Sequence, residues 1–169
     1  MKKHRWFVVT IVILLTSCSP VPGKSSPASS HPKLNSSEAA NRGFVVAGPS
    51  GMYNVEVIKQ FVDNFKKKMA GKITLARYTD EGDPIYVDLD YNGKEISYSY
   101  DNSWDEYGGG NRGISTAICS TIGERTDSLG ERNGTEYYLS SCTGDAPNSY
   151  PEKKEYFLLF VEETEEKNE

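Results

Sequence analysis

Histidine is nearly absent from this 169-residue chain: only His4 and His31 occur, and both precede the part whose composition suits a folded domain. With no imidazole in residues 44–169, the sequence argues against Ser-His-Asp and Cys-His catalysis, imidazole acid–base chemistry and the usual catalytic zinc sites. There are three cysteines and no Cys-x-x-Cys pair. Gly108-Gly109-Gly110 is not followed by Gly-Lys-Ser/Thr, so it reads as a flexible loop and not as a phosphate cradle. Basic residues are outnumbered, 19 against 24 acidic, for a net charge of −5. Phosphate binding needs clustered Lys and Arg, which argues against nucleic acid as a partner. The longest apolar run, residues 6–15, is ten residues interrupted by Thr10. A bilayer-spanning helix needs ~20.

What the N-terminus does contain is a basic start (Lys2, Lys3, Arg5), that short apolar run, and then Leu15-Thr16-Ser17-Cys18. This is the layout of a secretory signal ending in a lipoprotein box. Residues 1–17 then read as a signal peptide, and Cys18 as the lipid-attachment site and mature N-terminus. Acyl chains contribute roughly 0.8 kcal/mol per buried CH2, enough to hold a diacylated chain on the extracytoplasmic face of the cell membrane without crossing it. Residues 19–43 hold seven Ser and four Pro, so 18–43 reads as the lipidated cysteine plus a flexible linker. In that reading His31 lies in the linker and serves no folded site. Residues 44–161 remain as one domain, and 162–169 as an acidic tail.

Within the domain, Asn54 is a good N-cap, and Ile58, Phe61, Val62, Phe65 and Met69 follow at helical spacing, with Gly71 as a stop. Residues 73–79, 84–91, 94–100, 114–121, 136–141 and 156–161 are short and rich in β-branched or aromatic side chains, as strands are. Asn92-Gly93 predicts a two-residue hairpin turn pairing Tyr91 with Lys94 and Leu89 with Ile96. Asp90 then faces Glu95. The last strand, apolar on both faces, suits a central position. The expected fold class is α+β: one N-terminal helix packed on a curved antiparallel sheet of about five or six strands.

Cys119 and Cys142 remain once Cys18 is acylated, and an even pair in an exported domain usually bridges. A redox pair or metal ligands are the alternatives. Carboxylates are concentrated: residues 80–106 carry nine acidic side chains and one lysine. Such a face keeps an exported domain soluble. It could instead supply a weak cation site from Asp80, Glu81 and Asp83 or from Asp101, Asp105 and Glu106, although the EF-hand register is missing. A carboxylate pair hydrolysing a glycosidic bond is a further possibility. Trp104 and Tyr107 lie in the Gly-rich loop, where exposed rings could stack on sugar or peptide, or fold back on the core.

Tyr53-Asn54, Arg77-Tyr78-Thr79-x-Glu81-Gly82-Asp83-Pro84-Ile85, Asp88-Leu89-x-Tyr91-x-Gly93-Lys94-x-Ile96, Asp101-Asn102-Ser103 and Asn133-Gly134-Thr135-Glu136-Tyr137 occur together. Over residues 44–145 the chain resembles a family of small lipoproteins from spore-forming Gram-positive bacteria, catalogued as domain of unknown function 4362. The resemblance implies export, anchoring and the two cysteines. It implies no activity and therefore no catalytic residues. The expectation is a membrane-tethered, non-enzymatic module without a cofactor, binding a peptide, wall component or partner protein. The alternative is a small carboxylate-dependent hydrolase of envelope glycans.

Overall fold

The computed structural model describes residues 29–109, 112–130, 132–144, 146–147 and 150–163. The expected signal peptide, Cys18 and most of the acidic tail lie outside them. Among the described residues no helix is long and apolar enough to cross a membrane.

The element order is α1 (Ser36–Asn41), β1 (Val45–Gly48), β2 (Gly51–Tyr53), α2 (Val55–Lys66), β3 (Gly71–Tyr78), β4 (Pro84–Tyr91), β5 (Ile96–Asp101), β6 (Ile114–Leu129), β7 (Arg132–Gly144) and β8 (Tyr156–Glu162). All eight strands form one curled sheet in the order β2-β1-β3-β4-β5-β6-β7-β8. Every pairing is antiparallel except β1 with β3. The described residues are thus mostly β with two short helices, which corrects the expectation of one helix on five or six strands. β1 and β2 escape sequence reading because they are only four and three residues long, in a stretch broken by Gly48, Pro49 and Gly51.

α2 lies where the periodicity places it and buries Ile58, Phe61 and Val62 against one face of the sheet, with Phe65 against Tyr91. Its start differs from expectation. Asn54 has a left-handed backbone (φ 57°) and makes no side-chain cap. Its Nδ2 donates instead to the carbonyls of Ala40 and Phe44, both at 2.9 Å, tying α1 to the start of β1. Met69 falls beyond the helix and is 54% exposed.

The β4–β5 hairpin forms with its register displaced by two residues: Tyr91 faces Ile96 and Leu89 faces Tyr98. Asn92 is the cause. Its side-chain oxygen accepts from the amides of Lys94 and Glu95, an Asx turn that widens the loop to residues 92–95. A slip of two keeps side-chain parity, so the apolar face survives. Asp90 faces Ser97 instead of Glu95 and pairs with Lys72 at 2.6 Å.

β6 and β7 form a long hairpin in which Gly123 and Gly134 lie inside strands and not in turns. Gly123 is needed because the Tyr138 ring lies over it, where a Cβ would come within 2.6 Å of Cζ. At Gly134 a Cβ would run into the Val161 carbonyl. The inward-facing parity switches between Cys119 and Ile122, and between Cys142 and Leu139, where Ser141 takes a positive φ of 54°. Cys119 and Cys142 sit directly opposite each other and are joined by a disulfide. β8 is an edge strand, not a central one. A bulge opposite Tyr137 and Tyr138 leaves Leu158 out of register, so Leu158 and Leu159 are both buried, which accounts for the continuous apolar run.

Both faces of the sheet are covered where β1, β3 and β4 lie. Leu75, Val87, Leu89, Ile96 and Tyr98 pack with α2 and the inner residues of β6 to β8. On the other face Val46, Ala76 and Tyr86 pack with Leu34 and Ala39. The folded part therefore begins no later than Ser29, and residues 29–43 are not a flexible linker. α1 is closed by a capping box, with Asn35 Oδ1 accepting from the Glu38 amide and Glu38 Oε2 from the Asn35 amide.

Candidate functional site

Ahead of α1, residues 29–35 form a strap across the second face of β3, β4 and β5. Side chains of the sheet and of the loop after β5 capture its carbonyls. Trp104 Nε1 donates to the His31 carbonyl at 2.8 Å, Tyr86 Oη to that of Pro32 at 2.8 Å and Tyr78 Oη to that of Leu34 at 3.0 Å. Tyr86 Oη also accepts from the Leu34 amide at 3.3 Å. Burial pushes Tyr78 up to about 12 and raises Tyr86 above its ordinary value, so both phenols keep the proton they donate.

The strap's polar side chains meet carboxylates. Asp101, 1% exposed, accepts from Ser29 Oγ at 2.7 Å, the Ser30 amide at 2.8 Å and Ser30 Oγ at 2.9 Å, all at Oδ2, while Oδ1 accepts from the Ser103 amide. His31 Nε2 lies 2.9 Å from Asp88 Oδ2, and its ring packs on Tyr86 with centroids 4.6 Å apart. Asp88 also accepts from Thr74 Oγ1 at 2.6 Å. Lys33 Nζ reaches Asp83 at 2.7 Å and Glu106 at 3.3 Å. His31 therefore belongs to the folded unit, contrary to its assignment to a linker.

Burial alone would raise the Asp101 pKa, but hydrogen bonds from Ser103, Ser29 and Ser30 outweigh it and hold the group at about 2. The Lys33 ammonium lowers Asp83 in the same direction, helped by the Glu106 amide. For a carboxyl lowered from 3.8, the contribution to stability is whole above that value and is lost as pH falls through about 2. Urea unfolding followed between about pH 5 and pH 2 should show stability falling with acid, and Asp101→Asn should flatten that fall. An unchanged slope in the variant would contradict the assignment.

The carboxylates singled out from sequence do not converge. Asp80 and Glu81 are exposed on the turn before β4, beside a shallow 280 Å³ hollow shared with Asn35, Ser36 and Ser50. Asp83 and Glu106 meet at Lys33, Asp101 holds the two serines, and Asp105 accepts from the Tyr107 amide. Among the described residues no three His, Cys, Asp or Glu side chains are grouped as a metal ion would require. Trp104 is folded back onto the strap, whereas Tyr107 is 77% exposed. A second charged cluster, Arg125 between Glu136 (2.6 Å) and Glu155 (2.9 Å) and over the Tyr138 ring, staples the β6–β7 hairpin to the chain before β8.

Sequence reasoning misses His31, Lys33, Tyr78, Tyr86 and Asp88 as members of one site. One signal was there to find them: Asn35 followed three residues later by Glu38 is a capping-box pattern, and it marks a helix inside the supposed linker.

No curated protein and no solved structure matches the chain. Residues 43–136, more than half of it, match a family described as a domain of unknown function, DUF4362. The strap, Cys142 and β8 lie outside the matched stretch. On that match the chain belongs to the DUF4362 family.

Proposed function

We propose that the protein is a membrane-tethered, extracytoplasmic binding module for a peptide or protein partner, anchored through acylated Cys18. The observation that carries this reading is the second sheet face, which holds a peptide segment, the chain's own residues 29–34, by its carbonyls, the His31 ring and the Lys33 ammonium. The carboxylates there suit binding better than glycan hydrolysis. A general acid needs a raised pKa, and Asp101 and Asp83 are both lowered. Anchoring rests on the residues of the signal and its box, Leu15-Thr16-Ser17-Cys18.

The test uses cells producing the native chain or Cys18→Ala. The native protein should fractionate with membranes and be degraded by protease added to intact protoplasts, and the variant should be released to the medium. Purified cell walls incubated with the native protein should not clear. A cytosolic, protease-shielded protein would contradict the placement, and wall clearing that Asp101→Asn abolishes would favour the hydrolase.

A further inference from the structure

The strap is held in an unusual way for a segment of a β fold. It joins no strand ladder, because its carbonyls are taken by the side chains of Trp104, Tyr86 and Tyr78. Of residues 29–34 only Leu34 is buried, at 7% exposed, and Ser30, Pro32 and Lys33 face solvent. α1 is anchored separately, by Ala39 in the core and by Asn54 on the Ala40 carbonyl. Residues 29–33 can therefore lift away while the rest of the second face stays covered.

What the face recognises can be read from what occupies it. Main-chain carbonyls are met by fixed aromatic donors, which tolerate any side chain. Selectivity comes from charge: Asp88 takes a basic ring at one position, and Asp83 with Glu106 takes an ammonium two residues later. Asp101 takes small hydroxyl side chains and an amide ahead of them. The intervening Pro32 brings no N–H that the face would have to satisfy.

Resting on the binding-module reading above, we infer that the strap is an internal stand-in for an external ligand: a cationic, proline-containing peptide that displaces residues 29–33 and docks on the same face. Binding then opens the segment leading back toward Cys18. Because the site is occupied in cis, external affinity is reduced by the fraction of molecules whose strap is down.

The test uses the purified full chain and a fluorescein-labelled peptide, Ser-Ser-His-Pro-Lys-Leu-Asn amide. Lys33→Glu places a carboxylate against Asp83 and Glu106 and should lift the strap while leaving the face intact. Anisotropy should show this variant binding the probe at least about tenfold more tightly than the native chain. Adding Asp101→Asn, or replacing the lysine of the probe with glutamate, should remove the gain. Equal affinity of native and Lys33→Glu chains, or a gain that survives both changes, would overturn the inference. A second measurement needs no variant. Hydrogen exchange of the Ser30 amide, held by Asp101, should accelerate in the native chain with excess unlabelled peptide, and an unchanged rate would count equally against displacement. Failure here leaves membrane placement and the absence of wall clearing untouched, so it is distinguishable from failure of the reading on which it rests.

Discussion

Replacing Tyr86 with alanine is expected to destabilise the domain by about 3–5 kcal/mol, the range for deleting a fully buried aromatic side chain. Tyr86 is fully buried on the second face against Leu34, Ala39, Val46 and Ala76, and its hydroxyl bridges the Pro32 carbonyl and the Leu34 amide. The alanine variant loses both the packing and the bridge. Tyr86→Phe separates them. It keeps the ring but leaves two strap backbone groups without a partner, at about 1–3 kcal/mol. Urea melts of the three proteins, with exchange at Leu34 read alongside, check this. A Tyr86→Ala variant within about 1 kcal/mol of the native protein would show that the second face contributes little.

The second large effect is expected at the disulfide. Cys119 and Cys142 close a loop with a sequence separation of 23, for which the chain-entropy picture gives about 3 kcal/mol. The bridge ties the β6–β7 hairpin near its open end, beside the point where the inward parity switches at Ser141. The double variant Cys119→Ala/Cys142→Ala should melt on the order of 10 °C lower, while the native domain should show no reactive thiol at these positions under non-reducing conditions. Two titratable thiols in the native domain, or an unchanged melting temperature in the variant, would contradict the prediction.

Some of this architecture is legible in the residues and some is hidden for identifiable reasons. The apolar spacing of Ile58, Phe61 and Val62 marks α2 directly, and alternation marks β4, because both elements bury a periodic face. The register of the β4–β5 hairpin is not legible, since Asn92 serves a tight turn and an Asx turn equally well in sequence. The observed pairing follows from which amides its side chain accepts. β8 looks central because both of its faces are apolar, and only the bulge at Leu158 reveals an edge strand that buries adjacent residues.

The strap is hidden most completely. Its Ser, His, Pro and Lys composition is that of a disordered tether, since a segment without an apolar run has little surface to bury. What orders it is a set of acceptors and donors some fifty to seventy positions away in the chain: Asp83, Tyr86, Asp88, Asp101 and Trp104. The same separation makes the acidic run look unpartnered. Once the strap is down, Asp83, Asp88 and Asp101 each have an internal partner.

The most direct measurement of that account is limited trypsin digestion of the native chain followed by intact mass. The Lys33–Leu34 bond lies in the strap, with Lys33 paired to Asp83 and Glu106 and the Leu34 amide and carbonyl both hydrogen-bonded. It should be cut more slowly than in the Tyr86→Phe variant, in which the Pro32 carbonyl and the Leu34 amide lose their shared partner. Equal rates of release of a fragment beginning at Leu34 from the two proteins, with the sheet still intact, would contradict it.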